Sequence, residues 1–300
     1  MLGILYPSSP SPEGWQRSPL RAQLRELGWV EGKTIAFERR HAKGDYARLP
    51  ALAAELVRLP VDVIITYSTP AAFAAKQATS TIPIVIASGV EDPAALGLVS
   101  SLARPGGNVT GSVTGGLGVG MFGKRVQLLK EVVPHLTRLD ELYNPENPSQ
   151  ARDPAAYAPV LQMGVQVQRF AVRDAATLEH ALAEIAKRKP DALLIAADPA
   201  TTVAHSKSIV DFAVRHRLPT MGFARDQVED GALMYYGLSY LVQLRQAAYY
   251  VDKILKGSKP ADLPVQLASQ LELLINLKTA KAIGLTIPPS VLGRADQLIE

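Results

Sequence analysis

PVDVIITYSTPAA at residues 60–72 and PDALLIAADPAT at residues 190–201 are one phrase written twice. In each, an aspartate (Asp62, Asp191) opens an apolar run and stands eight residues before a proline (Pro70, Pro199) that follows a polar residue able to cap a helix. LPALAAELVRL at 49–59 and LEHALAEIAKR at 178–188 precede the two phrases with helical periodicity. A second helix follows each, and then a short strand opened by Ile82-Pro83 or Leu218-Pro219. The runs VDVIIT, IPIVIAS and DALLIAA are continuously apolar rather than alternating, so both faces of each strand are covered, as in a parallel sheet between helical layers. Strands and helices alternate along the chain. The expected class is α/β, with doubly wound parallel sheets built from repeated βαβ units.

Composition narrows the function. The 300 residues are 47% hydrophobic, ample for one or two cores, and the length suits two domains of about 100–150 residues. Lysine and arginine number 32 against 28 acidic residues. The clusters at Arg39–His41, Lys187–Lys189 and Arg215–Arg217 are short and scattered, so a nucleic-acid partner is not expected. No apolar run approaches the roughly 20 residues of a membrane span. There is no cysteine, which removes disulfides, thiolate metal sites and cysteine nucleophiles together. The five histidines show no metal-ligand spacing, and no cofactor is expected.

One motif is sharper in form than in substance. Gly118, Gly120 and Gly123 match G-x-G-x-x-G, with Asp140 some way on, as in dinucleotide-binding folds. That fingerprint needs its first glycine to end a strand, whereas Gly115, Gly116 and Leu117 intervene, and Asp140 lies inside a predicted strand. Gly118 to Lys124 also approaches a phosphate loop, but Arg125 stands where a magnesium-binding hydroxyl belongs.

Three stretches carry a resemblance to a known family: TSTIPIVIASGVEDPAALGLVSSLARPGGNVTG at 79–111, KRVQLLKEVVPHLTRLDELYNPENP at 124–148, and YYVDKILKGSKPADLPVQLASQLELLINLKTAKAIGLTIPPSVL at 249–292. Together they make the chain similar to the bacterial ABC-transporter substrate-binding proteins, of the tryptophan/tyrosine type. The resemblance implies two doubly wound lobes of type I periplasmic-binding-protein kind, joined by a three-strand hinge. Lobe 1 is expected to comprise residues 1–111 plus 240–270, and lobe 2 residues 112–239 plus 271–300. It also implies no enzyme activity, but capture of a small carboxylate-bearing solute, an amino acid with an aromatic or apolar side chain, in the cleft between lobes. Delivery to ABC permease subunits, a monomeric state and a periplasmic location belong to the same expectation. MLGILYP reads directly as a strand rather than as an export signal, which the resemblance leads one to expect on such proteins. The glycines of 115–120 and the acidic pair Asp140-Glu141 depart from the family's usual pattern. An enzyme acting on nucleotides or sugars, or a ligand-sensing module of the same fold, are the alternatives.

In open α/β sheets a ligand lies outside the carboxyl ends of the strands. Four predicted tips share a cap-then-proline device: Thr69-Pro70, Asp92-Pro93, Asn144-Pro145 and Asp198-Pro199. Each would open a helix whose N–H groups favour an anion. Ser68 and Thr69 are the first candidates for a ligand carboxylate, with Thr69 serving either as contact or as helix cap. Ser8 and Ser9 beyond the first strand, and Ser88 at the end of another, would complete that pocket, unless the first two merely form a turn. Asp198 stands symmetrical to Thr69 and is the candidate acceptor for a ligand ammonium, or else a cap; Asn144 ends the strand beside it. Trp15, Tyr67, Phe223 and Tyr236 are candidates to stack on an apolar or aromatic ligand, against the alternative of a core role. Arg225 reads either as a carboxylate contact or as a surface ion pair with Asp226 or Glu229.

Overall fold

The computed structural model describes residues 1–8, 15–90, 92–114, 117–147, 150, 157–196, 198 and 201–300. Its strands and main helices run in this order: β1 (Leu2–Tyr6), α1 (Pro19–Glu26), β2 (Phe37–His41), α2 (Leu49–Val57), β3 (Val63–Tyr67), α3 (Thr69–Ala78), β4 (Ile84–Ser88), β5 (Val109–Val113), α4 (Leu117–Val132) and β6 (Arg138–Tyr143). There follow α5 (Ala158–Gln162), β7 (Gln166–Ala171), α6 (Ala175–Arg188), β8 (Ala192–Ile195), α7 (Ser206–Arg215), β9 (Thr220–Gly222), α8 (Arg225–Glu229) and β10 (Met234–Leu238). The chain ends with α9 (Tyr240–Leu255), β11 (Gln266–Leu267), β12 (Leu271–Asn276), α10 (Leu277–Ile283), α11 (Pro289–Leu292) and β13 (Gln297–Ile299). These elements form two units, Met1–Gly116 with Leu238–Gln270, and Leu117–Gly237 with Leu271–Glu300.

The first unit is built on a six-stranded sheet in the order β11-β5-β4-β3-β1-β2. β1 pairs in parallel with β2 and β3, and β4 with β3 and β5. Its strands divide their side chains between two cores. Leu2, Ile4, Val63, Ile65 and Tyr67 meet Leu20 and Leu24 of α1 and Leu244, Ala247 and Val251 of α9. Ile64, Ile84 and Ile86 meet Leu52 and Leu56 of α2 and Ala71, Ala72 and Ala75 of α3. Burial on both faces is why these strands carry no polar alternation.

The second unit holds a seven-stranded sheet, β13-β12-β10-β9-β8-β6-β7. Ala192 and Leu194 face α4, α10 and α11, whereas Leu193 and Ile195 face α6 and α7. β6 puts two carboxylates into this layered interior. Asp140 and Glu141 are fully buried and point to opposite faces, Asp140 to Arg188 at 3.4 Å and Glu141 to Arg169 at 2.9 Å. Burial raises the Asp140 carboxyl above its ordinary range despite the opposing pull of Arg188.

The glycine motif falls inside a helix. Gly118, Gly120 and Gly123 lie within α4, so they form no strand-to-helix turn of the kind that cradles phosphate. The cap-then-proline reading needs correcting at all four tips, and at three of them no α-helix starts among the described residues. At Thr69-Pro70 a helix does begin, but its cap is Ser68 and not Thr69. Asp92 accepts from the N–H groups of Ala94 and Ala95 at 3.1 and 3.0 Å, and Asn144 from Glu146 at 3.0 Å; both close turns only. Asp198 accepts from the N–H of Thr201 at 3.0 Å, and the next helix, α7, starts at Ser206.

Candidate functional site

Each sheet reverses its order at one place. β1 lies between β2 and β3, and β6 between β7 and β8, so the chain winds outward in both directions from the pairs β1/β3 and β6/β8. The loops leaving such a pair diverge and open a crevice at the carboxyl ends of the strands. Ser8, Tyr67, Ser68 and Thr69 follow or end β1 and β3, and Asn144 and Asp198 follow β6 and β8. Ser9 lies outside the described residues.

The most unusual backbone of the first unit is at its switch point. Ser68 has φ 104° and ψ 157°, a region that is essentially glycine's alone and costs a residue with a side chain about 1–3 kcal/mol. Its surroundings hold it there. The Ser68 N–H donates to the Ser88 carbonyl at 3.0 Å, and Thr69 Oγ1 donates to the Gly89 carbonyl at 3.1 Å. β3 and β4 lose register here, passing from Thr66 opposite Ile86 to Tyr67 opposite Ser88, so Ala87 forms a bulge. Gly89 has φ 76°, and a Cβ on it would lie 3.1 Å from Ser68 Cα, which is why the loops cross so closely. Ser68 Oγ accepts from Ala71 N at 3.5 Å at the start of α3, whose N-terminal end carries partial positive charge.

Next to it runs an aromatic ladder. Tyr6 stacks on Tyr67 at 4.9 Å and on His41 at 5.1 Å. The His41 Nδ1–H donates to the Ser8 carbonyl at 3.3 Å, which ties the loop after β1 to the ladder. Burial, seconded by Arg39, Lys43 and Arg40, lowers the His41 pKa below its ordinary 6.5 although the Ser8 carbonyl opposes the shift. Burial also pushes the Tyr6 phenol up to about 12 and the Tyr67 phenol well above its ordinary value. Trp15 requires a correction. It is 3% exposed, meets Phe37 edge-on at 4.9 Å, lies under Arg39 and donates to Glu31 at 3.3 Å. It is a core residue that stacks on the protein itself.

In the second unit Asp198 is fully buried. Its carboxylate accepts from Asn144 Nδ2 at 3.0 Å, Asn147 Nδ2 at 2.7 Å, and the N–H and hydroxyl of Thr201, both at 3.0 Å. These four donors, among the described residues, are uncharged. Asn144 and Asp198 thus join the two strands of the switch point directly. Phe223, just past β9, and Tyr236, within β10, come together through a residue that the sequence reading weighed only against a phosphate loop. Arg125 of α4 lies 3.6 Å from the Phe223 ring centroid and donates from Nε to the Tyr236 carbonyl at 2.7 Å. Its signal was present in the sequence: Phe122, Arg125 and Leu129 share one helical stripe, and an arginine in an apolar stripe needs an internal partner. Arg225 forms its ion pair with Glu229 at 2.9 Å. Among the described residues no cluster of histidine and carboxylate groups could hold a metal ion.

The model of the ABC transporter substrate binding protein family matches residues 15–299. The chain belongs to this family. Members of this substrate-binding family capture solutes rather than transform them, so the protein is a binding protein and not an enzyme. It is 28% identical over 264 residues to a tyrosine-binding protein of Clostridioides difficile, covering 87% of this chain and 74% of that protein. Among solved structures it is similar to a conserved domain protein of Vibrio cholerae, at 30% identity and TM-score 0.87 over 99% of this chain and 98% of the other. It also resembles an ABC domain from Streptococcus pneumonia in complex with L-Trp, at 26% identity and TM-score 0.86 over the whole of both chains. This ABC substrate-binding protein therefore shares its fold with periplasmic binding proteins, as two α/β parallel-sheet lobes.

Proposed function

We propose that the protein is the extracytoplasmic solute-binding component of an ABC importer and that its solute is an aromatic amino acid, gripped between the two lobes and passed on unchanged. Similarity to a tyrosine-binding protein and to a domain bound to L-Trp supports the ligand class. Among the described residues no helix is long and apolar enough to cross a membrane, so transport would need separate membrane subunits.

The observation that carries the reading is Ser68. A serine held at φ 104° by a bulge and a glycine crossing at a switch point is strain kept where a ligand would use it. In this reading Ser68, Thr69 and Ser8 receive the carboxylate at the positive end of α3, with Ser88 holding Ser68 in place. Asp198, backed by Asn144, supplies the negative pole for the ammonium group, and Tyr67, Phe223 and Tyr236 line the apolar side. The ligand shifts an open–closed equilibrium because only the closed form satisfies contacts from both lobes.

A thermal-shift screen of the twenty amino acids and of aromatic carboxylates tests this. A specific ligand at 100 times its dissociation constant stabilises by about 2.7 kcal/mol. L-tyrosine, L-tryptophan or L-phenylalanine should raise the melting temperature while L-leucine and L-glutamate do so less; no shift with any aromatic amino acid would end the proposal.

A further inference from the structure

The end of β2 holds the end of β1 by three consecutive carbonyls. The Tyr6 carbonyl accepts from the Ala42 N–H at 2.9 Å, the Pro7 carbonyl from the Gly44 N–H at 2.9 Å, and the Ser8 carbonyl from His41 Nδ1–H at 3.3 Å. To bring the Gly44 N–H back to Pro7 the chain passes through left-handed backbone at Lys43 (φ 58°) and Gly44 (φ 86°), uncommon for a lysine. The first two bonds use main chain alone. The third requires a side chain that donates, and it is the one that reaches Ser8.

His41 suits this task in two ways. Tyr6 and His41 are the last register pair of β1 and β2, so their side chains share one face, with rings 5.1 Å apart and within 5° of parallel. Tyr6 in turn stacks on Tyr67, the residue before Ser68, so the imidazole is oriented by a column that reaches the switch point. Burial first, and then Arg39, Lys43 and Arg40, disfavour a second proton on the ring, against the pull of the Ser8 carbonyl. A neutral imidazole has one N–H, and the carbonyl fixes it on Nδ1. The tether comes from the β2 side, whereas β3, which leads into Ser68, lies on the other side of β1. Ser8 is half-buried. Ordering its loop before a ligand arrives lowers the entropy lost on binding.

We infer that His41 is a positioning residue of the solute site: by holding the Ser8 carbonyl it fixes the Ser8 hydroxyl for a ligand carboxylate, and so favours a free amino acid over a carboxyl-blocked one. The inference rests on the reading of Ser8 as a carboxylate contact and adds to it the residue through which β2 takes part. His41 touches Tyr6 and Ser8 and acts through Ser8.

Calorimetric titration of the full chain with L-tryptophan and with L-tryptophanamide tests it, the ratio of the two affinities being the quantity read. His41→Phe keeps a ring against Tyr6 but removes the donor, and should lower the ratio about threefold to tenfold, the scale of one hydrogen bond. His41→Asn, which returns an N–H near the place of Nδ1, should recover part of that loss. On a Ser8→Ala background, where the ratio is already reduced, His41→Phe should lower it no further. Melting temperatures of the unliganded variants show which are folded, and His41→Leu, which also lacks the donor, replaces His41→Phe if that variant does not fold. An unchanged ratio in the variant without the donor, equal losses for both ligands, or additive losses with Ser8→Ala would each overturn the inference while leaving the ligand class intact. An unaltered protein that does not prefer L-tryptophan to its amide, or an unchanged ratio in Ser8→Ala, overturns the carboxylate reading and the inference with it.

Discussion

The Ser68 N–H donates to the Ser88 carbonyl at 3.0 Å, and this bond clasps the ends of β3 and β4 where Ser68 takes its glycine-like conformation. Replacing Ser68 by glycine should therefore separate stability from function. The strain of about 1–3 kcal/mol is relieved. Against it stand about 0.5–1 kcal/mol of glycine entropy and a few tenths for the cap. Ser68→Gly should unfold at equal or higher denaturant concentration than the unaltered protein, yet bind its amino acid several-fold more weakly. A variant that is clearly less stable and binds normally would show that the strain serves the fold alone.

Three glycines rank by what a side chain would meet. Gly111 has φ 135°, and a Cβ there would collide with the Ile86 carbonyl oxygen and lie 2.6 Å from its nitrogen. Gly89 has φ 76° and would bring its Cβ to 3.1 Å from Ser68 Cα; Gly28 has φ 93° and nothing within 4 Å. Alanine should cost about 1 kcal/mol at Gly28, more at Gly89, and upward of about 3 kcal/mol at Gly111. Chemical denaturation of the three variants reads the order directly.

Asp198→Ala would leave the buried amides of Asn144 and Asn147 without their acceptor. Each orphaned donor costs about 1–3 kcal/mol, so a loss of several kcal/mol is expected. If the carboxylate also serves the ligand ammonium, the milder Asp198→Asn should weaken L-tryptophan far more than indole-3-propionate, which lacks the amine. Equal losses in titration calorimetry would confine Asp198 to its internal network.

The His41 ring should titrate below its ordinary 6.5. The native state then binds fewer protons than the unfolded chain across the interval between the two pKa values. His41 thus contributes stability that is present in full above about pH 6.5 and is lost as the pH falls through the native pKa. Its imidazole resonances, followed by NMR against pH, report the value, and His41→Gln should flatten the stability profile below pH 6.5. A native pKa above 6.5 would contradict the assignment of burial as the dominant cause.

The sheets were legible because burial on both faces leaves a plain mark. VIITY and ALLI are apolar without period, and the repeated aspartate-to-proline spacing gives away the βαβ rhythm. The tips were less so. A cap residue followed by proline says that a turn can start, whereas its continuation as a helix depends on an apolar stripe that the polar residues after Asn144 do not supply. Trp15, in a segment that reads as a loop, is drawn into the core by Phe37 and Arg39, which no local pattern records. Ser68 and Thr69 attract notice as hydroxyls, but the backbone that sets Ser68 apart depends on Gly89 and the bulge at Ala87, both on the neighbouring strand. Arg125 and Phe223 meet across nearly a hundred residues of chain, beyond the range of any spacing rule.

Both units are stitched from separated pieces of the chain, and this governs how the molecule can be assembled. α9 seals one face of the first sheet with Leu244, Ala247, Tyr250 and Val251, yet it is synthesised after the larger segment of the second unit. A nascent chain halted near residue 116 would leave Leu2, Ile4, Val63 and Ile65 facing water and ready to aggregate. Neither half can reach its final form early, and the polypeptide stays pliable until its last quarter has emerged.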